Sequence, residues 1–598
     1  MSKKFSKVLN SENGKLSALL QLIAFAFTRP GMKVITGAIK KKLLHRDPPP
    51  DYNQWIRKQL NITKITEDFN TTFKILSFTP TISIILVTKK PDSLILAATI
   101  KSIEDQLYTS WELCLAGSSE SGLNNLPEKK SNAKIKIIQT EEHSLTSAIN
   151  TAIKKTKGEY YLFLEPGALL TPDCLFEFVK YLNEHPDDEI IYCDDDRIDE
   201  TGKYLDHYFK PGWSPDTLLS RNYIGDTFLI SKKILNTIIS SNENYQGTGI
   251  YDLLLRATEA NSGIGNITKI LFHKRHQPIK VIEDKETKNT LEAALKRRET
   301  PAEVVEIPGT ASWRINYAIR QPGMVSIIIP TKDQAALLKV ALSSIINKTS
   351  YTDYEILIIN NNSTTPEFFS LMDEFKTMLP DIFRVIDAPG PFNFSRLMNL
   401  GIAASVGKYI LLLNNDIEVT DAGWLTQMVS NAQNLHTGAV GVKLLYPDNT
   451  IQHAGIVLGI QGHSGHVFVN QQADFTGYHD NAIATTNYSA LTAACLMCRK
   501  EVYLEAGGMD ENLPVEFNDI ALCLKFLELG YFNIYLASVS LYHHESATRS
   551  HPLRNLKSWK QHEHDLTFFK SKWQAYIDTD PFYNPNLSLN ETDFRIKT

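Results

Sequence analysis

Asp416 is the residue around which the chemistry of this sequence gathers. It closes the run Asn414-Asn415-Asp416, which follows five apolar residues without a polar break, Tyr409 to Leu413. Such a run reads as a strand buried on both faces of a parallel sheet. In open α/β sheets, ligands bind at the carboxyl ends of the strands. A carboxylate at that point, flanked by amides, suits a divalent cation that holds a diphosphate. The same residues also suit a plain polar turn, since turns favour Asn and Asp.

The elements that position Asp416 follow an alternating pattern. Val325–Ile329, Tyr354–Ile359 and Lys408–Leu413 read as strands, and Ala335–Ile346 and Ser395–Ala404 as helices. A similar series stands earlier, with strands Ile82–Val87, Trp111–Ala116 and Glu159–Leu164 and helices Leu94–Gln106 and Leu145–Lys155. Ser83-Ile-Ile-Leu-Val-Thr88 aligns with Ser326-Ile-Ile-Ile-Pro-Thr331, and Gly158 with Gly407. This is a duplicated domain, and strands alternating with helices imply a parallel sheet in each copy. The duplication is an internal control. With Gly158 on Gly407, Glu165-Pro166-Gly167 falls opposite Asn414-Asn415-Asp416, so the first copy has glycine where the second has its carboxylate. The second copy is therefore the one expected to carry chemistry.

Composition sets the frame. With 598 residues, 43% hydrophobic and 22% charged, the chain reads as a globular protein of two to four domains. A net charge of −5 makes no case for nucleic acid. Cys495 and Cys498 form a C-x-x-C inside an apolar run with no second pair, and the six scattered cysteines read as buried thiols of a reducing compartment. Residues 1–46 hold ten Lys or Arg against one acid, Glu12, beside the apolar stretch Leu16–Phe27. That stretch is shorter than the ~20 residues a membrane span needs. A basic amphipathic helix on an anionic membrane surface is expected, with a signal peptide or a helix packed on the next domain as alternatives. Pro48-Pro49-Pro50 marks a linker.

Ser326-Ile-Ile-Ile-Pro-Thr331, Leu412-Leu-Asn-Asn-Asp416, Phe517-Asn518-Asp519 and Tyr542-His543-His544-Glu545-Ser546, in this order and spacing, resemble inverting family-2 glycosyltransferases of the GT-A fold. The similarity covers about residues 50–590. It is nearest to tandem-domain bacterial enzymes of surface polysaccharide assembly, including rhamnosyltransferase-like members. The resemblance implies an α/β chain of two tandem GT-A domains with mostly parallel sheets and a helical N-terminal segment. The expected division is 1–50 basic segment, 51–80 linker and helix, 81–315 first domain, 316–556 catalytic second domain and 557–598 C-terminal helix and tail.

The resemblance also implies roles. Pro330 and Thr331 would end the first strand beside the nucleotide. Asn361 stands where the family usually has an acid for base or ribose, and Asn399 and Asn415 would also line the nucleotide side. For Asn399, bonding to local backbone is the alternative. Asp416 would hold Mg²⁺ or Mn²⁺ across the diphosphate, with His543 or His544 as imidazole ligand, His543 slightly favoured. Arg549 would pair with phosphate. Asp519, at the start of the predicted helix Ile520–Leu529, would be the general base; a helix N-terminus also favours an acid through its dipole. Gly462-His463-Ser464-Gly465-His466 suggests a mobile loop over the sugar.

In the first copy, Asp252 and His273 lie roughly where Asp519 and His543 lie in the second. Asp194-Asp195-Asp196 reads as a charged turn between strands or as a metal site. The copy is expected to be degenerate, binding acceptor, partner or membrane. The function implied is transfer of a sugar from a UDP- or dTDP-sugar to a glycan or lipid-linked acceptor at the cytoplasmic membrane face. Two active domains, or a non-catalytic sugar-binding module, are the alternatives.

Overall fold

The computed structural model describes residues 51–88, 93–118, 133–140, 145–240, 247, 249–260, 263–276, 285–544 and 556–597. The basic N-terminal segment, the triple proline and Arg549 lie outside the described residues. Two short helices, α1 (Tyr52–Gln59) and α2 (Ile62–Thr72), precede the first sheet. Asp51 and Asn61 cap them, each accepting backbone N–H groups of the first turn.

The first half then runs β1 (Ile82–Thr88), α3 (Ser93–Glu104), β2 (Trp111–Ser118), β3 (Ile135–Thr140), α4 (Leu145–Lys155), β4 (Tyr160–Leu164), β5 (Leu169–Leu170), α5 (Cys174–Glu184) and β6 (Asp188–Ile198). It continues with β7 (Tyr204–Tyr208), α6 (Pro215–Ser220), β8 (Leu229–Ser231), α7 (Lys232–Ser240), α8 (Ile250–Thr258), β9 (Gly263–Arg275) and α9 (Lys285–Arg297). The hairpin β10 (Ala302–Glu306) and β11 (Trp313–Tyr317) leads to the second half.

There the order is β12 (Val325–Thr331), α10 (Ala335–Lys348), β13 (Tyr354–Asn360), α11 (Pro366–Met378), β14 (Phe383–Asp387), α12 (Phe394–Ala404), β15 (Tyr409–Leu413), β16 (Ile417–Glu418), α13 (Trp424–Ala432) and β17 (Thr437–Leu445). Then come β18 (Ile451–His453), β19 (Ile456–Leu458), β20 (Ser464–His466), β21 (Thr486–Asn487), β22 (Cys495–Arg499), α14 (Lys500–Glu505), α15 (Asn518–Glu528), β23 (Phe532–His543) and α16 (Leu556–Asp578).

The two large sheets repeat one topology. Their orders are β3-β2-β1-β4-β8-β6-β9-β5 and β14-β13-β12-β15-β22-β17-β23-β16. In each, the first four strands are parallel and the next enters antiparallel, so the sheets are mixed. β12, β13 and β15 are buried along their whole length, as strands covered by helices on both faces must be. The six cysteines are free and buried.

The halves are packed together through polar contacts. Asn487 of β21 caps α6 from the other half: its Oδ1 accepts the N–H groups of Asp216 (3.0 Å) and Thr217 (3.2 Å). His436 Nε2 lies 3.0 Å from Asp216 Oδ1. The Tyr478 hydroxyl accepts the Phe209 N–H, and the Tyr208 and His479 rings stack at 3.7 Å. The C-terminal tail crosses back to the first half. Asn584 Nδ2 donates to Asp194, and the Gly212 N–H donates to the Pro581 carbonyl.

Two expectations are corrected by the fold. Asp194-Asp195-Asp196 is not a charged turn: it lies within β6, buried. The segment around Gly462–His466 is not a loose loop either. Ser464–His466 forms a strand antiparallel to Ile456–Leu458, and His466 Nδ1 lies 3.0 Å from His453 Nδ1.

Candidate functional site

The carboxyl ends of β12, β13 and β15 converge as parallel neighbours. Thr331 ends β12, and its hydroxyl accepts a bond from Asn415 Nδ2 at 2.9 Å. Pro330 precedes it, buried in the strand opposite Ile359. Asp333 follows in the left-handed region, φ 54°, and its Oδ1 accepts the N–H groups of Thr364 and Thr365. Those bonds hold its carboxyl below the usual range and tie the first loop to the second. Asn361 Nδ2 donates to the Ala388 and Gly390 carbonyls, so this amide braces the loop after β14. Asn399 is also engaged. Its Nδ2 donates to Met509 O and Glu511 Oε1, and its Oδ1 accepts from the Tyr503 hydroxyl and the Met509 N–H.

Asp416 follows β15 and is 5% exposed. β16 pairs antiparallel with the end of β23, which sets Ile417 opposite His543. His543 Nε2 thereby reaches 3.1 Å from Asp416 Oδ1, while its Nδ1 stands 2.6 Å from Gln452 Oε1. An amide oxygen only accepts, so Nδ1 donates there. In the neutral ring this leaves an electron pair on Nε2, which lies 3.3 Å from Asn414 Nδ2 and also faces a buried carboxylate oxygen that has no hydrogen-bond partner. A cation between the two would satisfy the carboxylate oxygen and take the imidazole nitrogen from the Asn414 amide. One carboxylate oxygen and one imidazole, with phosphate oxygens completing the shell, fit Mg²⁺ or Mn²⁺. Among the described residues, no three His, Cys, Asp or Glu side chains group as a metal site, so substrate would have to supply the remaining ligands. His544 turns away, with Nε2 2.9 Å from Glu418 Oε2.

Asp519 is the second residue of α15, after Phe517 in the left-handed region at φ 61°. Its Oδ2 accepts the Ala493 N–H at 3.1 Å and its Oδ1 the Ile520 N–H at 2.9 Å. The next carbonyl, Ala494, accepts the Asn414 N–H at 3.0 Å. The segment that holds Asp519 is thus bonded to the strand end that holds Asp416.

Helix α16 fixes this arrangement from outside. The fully buried Asp565 accepts the Glu516 N–H, His562 Nδ1 lies 2.7 Å from Glu516 Oε2, and the Phe517 and Phe569 rings stack at 4.9 Å. The Glu516 partner holds the His562 imidazole above its ordinary pKa, against the opposing effect of burial. Gln452, His562 and Asp565 carry no sequence signal that marks them. Each acts through a partner 46 to 91 residues away.

The first half shows what the same frame looks like without this set. Gly167 lies in the left-handed region at φ 97°. β16 pairs Glu418 with Tyr542, and β5 pairs Leu169 with His273. With Gly167 on Asp416, Leu169 falls on Glu418, so His273 matches Tyr542 and Lys274 matches His543. The expected equivalence of His273 and His543 is off by one residue. Lys274 Nζ lies 3.5 Å from Asp195 Oδ2 and 3.6 Å from Glu165 Oε1. Burial lowers its pKa, but Asp195, Glu165 and Asp226 outweigh that and hold it raised. Asp195 also pairs with the buried Lys210 at 2.7 Å. Asp196 pairs with His273 at 2.5 Å. Burial lifts Asp194 to about 7. The three acids are thus consumed by protein partners. Asp252 lies between Arg256 (2.9 Å) and Arg297 (2.8 Å).

Two mixed α/β sheets of one topology, one with an acid and an imidazole at its strand ends, define a tandem nucleotide-sugar transferase fold. Residues 83–238 and 326–504 match the family described as Glycosyl transferase family 2, and the chain belongs to that family. It is 34% identical over 538 residues to an uncharacterized protein, y4gI, of Sinorhizobium fredii, covering 86% of this chain and 58% of that protein. It is 31% identical over 535 residues to the O-antigen biosynthesis protein RfbC of Myxococcus xanthus, covering 87% of this chain and 41% of that protein. The chain thus spans about half the length of these curated relatives. A solved structure of GalNAc-T7 with UDP, GalNAc and Mn²⁺ is similar at TM-score 0.37 and 13% identity, over 46% of this chain and 54% of that one.

Proposed function

We propose that the second half moves a sugar from a nucleoside-diphosphate sugar to a hydroxyl of a saccharide acceptor with inversion, and that the first half no longer catalyses. The observation that carries this reading is the contrast between the copies. Asp416 Oδ1 is buried and open to a cation, whereas its counterpart is a glycine beside an ion-paired lysine. A divalent cation held by Asp416 and His543 would neutralise charge on the departing diphosphate. Asp519 is the general base. An ionised carboxylate has about four acceptor sites, and the Ala493 and Ile520 N–H groups use two. A free lone pair takes the proton of the acceptor hydroxyl as its oxygen bonds to the anomeric carbon. The bond from that carbon to the phosphate oxygen breaks, and its electron pair leaves with the nucleoside diphosphate. Thr331 and Asn415 line the donor side, and Arg549 pairs with phosphate.

The acceptor class is a lipid-linked or growing surface polysaccharide, a reading supported by the likeness to an O-antigen biosynthesis protein. UDP- and dTDP-sugars are the donors to screen. Residues 81–315 and 316–556 are taken as the two domains. Docking on the inner membrane face through residues 1–50 is supported by their basic excess. Among the described residues no helix is long and apolar enough to cross a membrane. The test is a nucleotide-sugar hydrolysis and transfer screen with Mn²⁺ or Mg²⁺ present. One donor turned over by the wild type and not by Asp519→Asn supports the reading. Turnover that survives this substitution overturns it.

A further inference from the structure

A cavity of ≈ 210 Å³ lies between the β10–β11 hairpin and the second sheet. A bulge opens it. The β17–β23 register jumps from Val442↔Leu536 to Lys443↔Ser540, so residues 537–539 leave the ladder. Ile307 and Ile483 form apolar wall, and Arg314, Lys443 and Thr485 supply polar groups. No Asp or Glu is among the described lining residues. Lys443 is 4% exposed, and its ammonium donates to a backbone carbonyl, that of Ala473, at 3.1 Å. An ammonium has three donors, so two remain. The Arg314 guanidinium has no ion pair or hydrogen bond among the described residues.

We propose that this cavity is an anion site that takes a phosphate group, held between Lys443 and Arg314 with the Thr485 hydroxyl as a further donor. Two cations and a hydroxyl around an acid-free hollow leave many more donors than acceptors. A tetrahedral oxyanion reverses that imbalance, whereas water does so only in part. The volume bounds the ligand. It holds roughly seven waters at about 30 Å³ each and falls below the ~300–1,000 Å³ of pockets for larger ligands. Orthophosphate or one phosphate group of a larger molecule fits; an entire nucleotide sugar does not. Lys443 pairs with Ser540, three residues before His543, roughly 10 Å back along the strand, so this site is separate from Asp416. Burial pulls the Lys443 ammonium down to about 8, with Asp474 opposing only in part, which marks a cation short of counter-charge.

The experiment is thermal unfolding of the full chain in chelator, titrated with potassium phosphate against potassium chloride at equal ionic strength. Phosphate should raise the midpoint saturably and chloride should not. Lys443→Met and Arg314→Gln should each weaken the apparent phosphate affinity about tenfold or more. If Lys443→Met does not fold, Arg314→Gln, at a half-buried surface position, decides alone. A parallel titration with a hexose 1-phosphate separates the sources. Tighter binding than orthophosphate supports a phosphate carried on a saccharide, and weaker binding supports free phosphate. No phosphate-specific shift, or an equal shift in wild type and both variants, overturns the proposal.

Discussion

His543 Nε2 stands 3.1 Å from Asp416 Oδ1, close enough for one divalent cation to take both as ligands. Gln452 decides which nitrogen of the ring carries the proton, because its Oε1 faces Nδ1 at 2.6 Å. Gln452→Leu should therefore raise the divalent concentration needed for half-maximal transfer by about 10–100-fold, as loss of a ligand's outer partner does. Titrating Mn²⁺ against initial rate checks this. An unchanged requirement would remove Gln452 from the site.

Asp416→Ala should abolish transfer at any metal concentration, and His543→Ala should weaken the metal response far more than His544→Ala. His544 is paired with Glu418 instead. Rates for the three variants across a Mn²⁺ series test this order. Equal effects of the two histidine substitutions would refute it.

Asp519→Asn should lower transfer by about 100- to 10,000-fold while donor affinity holds. The amide fits the same space and cannot take the proton. Calorimetric donor binding measured beside transfer separates the two effects.

Asp252→Asn should act on stability and not on chemistry. It leaves Arg256 and Arg297 with an uncharged partner, at a cost of about 1.5–3 kcal/mol. The unfolding midpoint should drop while transfer per folded molecule stays near wild type. A loss of transfer equal to that of Asp519→Asn, with the fold intact, would mean that the first half works.

The His562–Glu516 pair should give the Asp519 loop a pH dependence. The folded pKa of His562 is raised above its ordinary value of 6.5. Its contribution is thus full below 6.5 and is lost as pH rises through the raised value. Amide hydrogen exchange across 513–519 should show protection falling with pH over that window in wild type. His562→Gln should flatten the change, and a variant as pH-dependent as wild type would disprove the role.

The parallel core was legible because burial on both faces leaves an uninterrupted apolar run. Tyr409–Leu413 shows this, as does the polar break that announces its end. Asp416 could be placed at a strand end for the same reason. What stayed hidden depends on register. Lys274 and not His273 matches His543 because the pairing of β5 with β9 fixes the phase, which periodicity along one strand does not report. Asp194–Asp196 read as a turn because acids in a buried strand need cations. Theirs, Lys210, Lys274 and His273, come from elsewhere in the chain. The bracing by Asn361 was likewise hidden, since its carbonyl partners lie in another loop. For Asn399 backbone bonding was the alternative, but its partner Met509 is distant in sequence and not local.

The C-terminal tail binds the fate of one copy to the other. Asn584 closes on Asp194, and the Pro581 carbonyl takes the Gly212 N–H where a Cβ would collide with it. A duplicated copy released from catalysis would ordinarily drift at every position. If the first half no longer catalyses, as proposed, drift is permitted around Glu165 and Gly167. It is barred at Asp194, Gly212 and Asp216, whose replacement would unseat the tail or the cap that Asn487 supplies. On that proposal, descendants of such a duplication should vary most around the strand ends of the first copy and least where it touches its twin, the reverse of the pattern expected in a working enzyme.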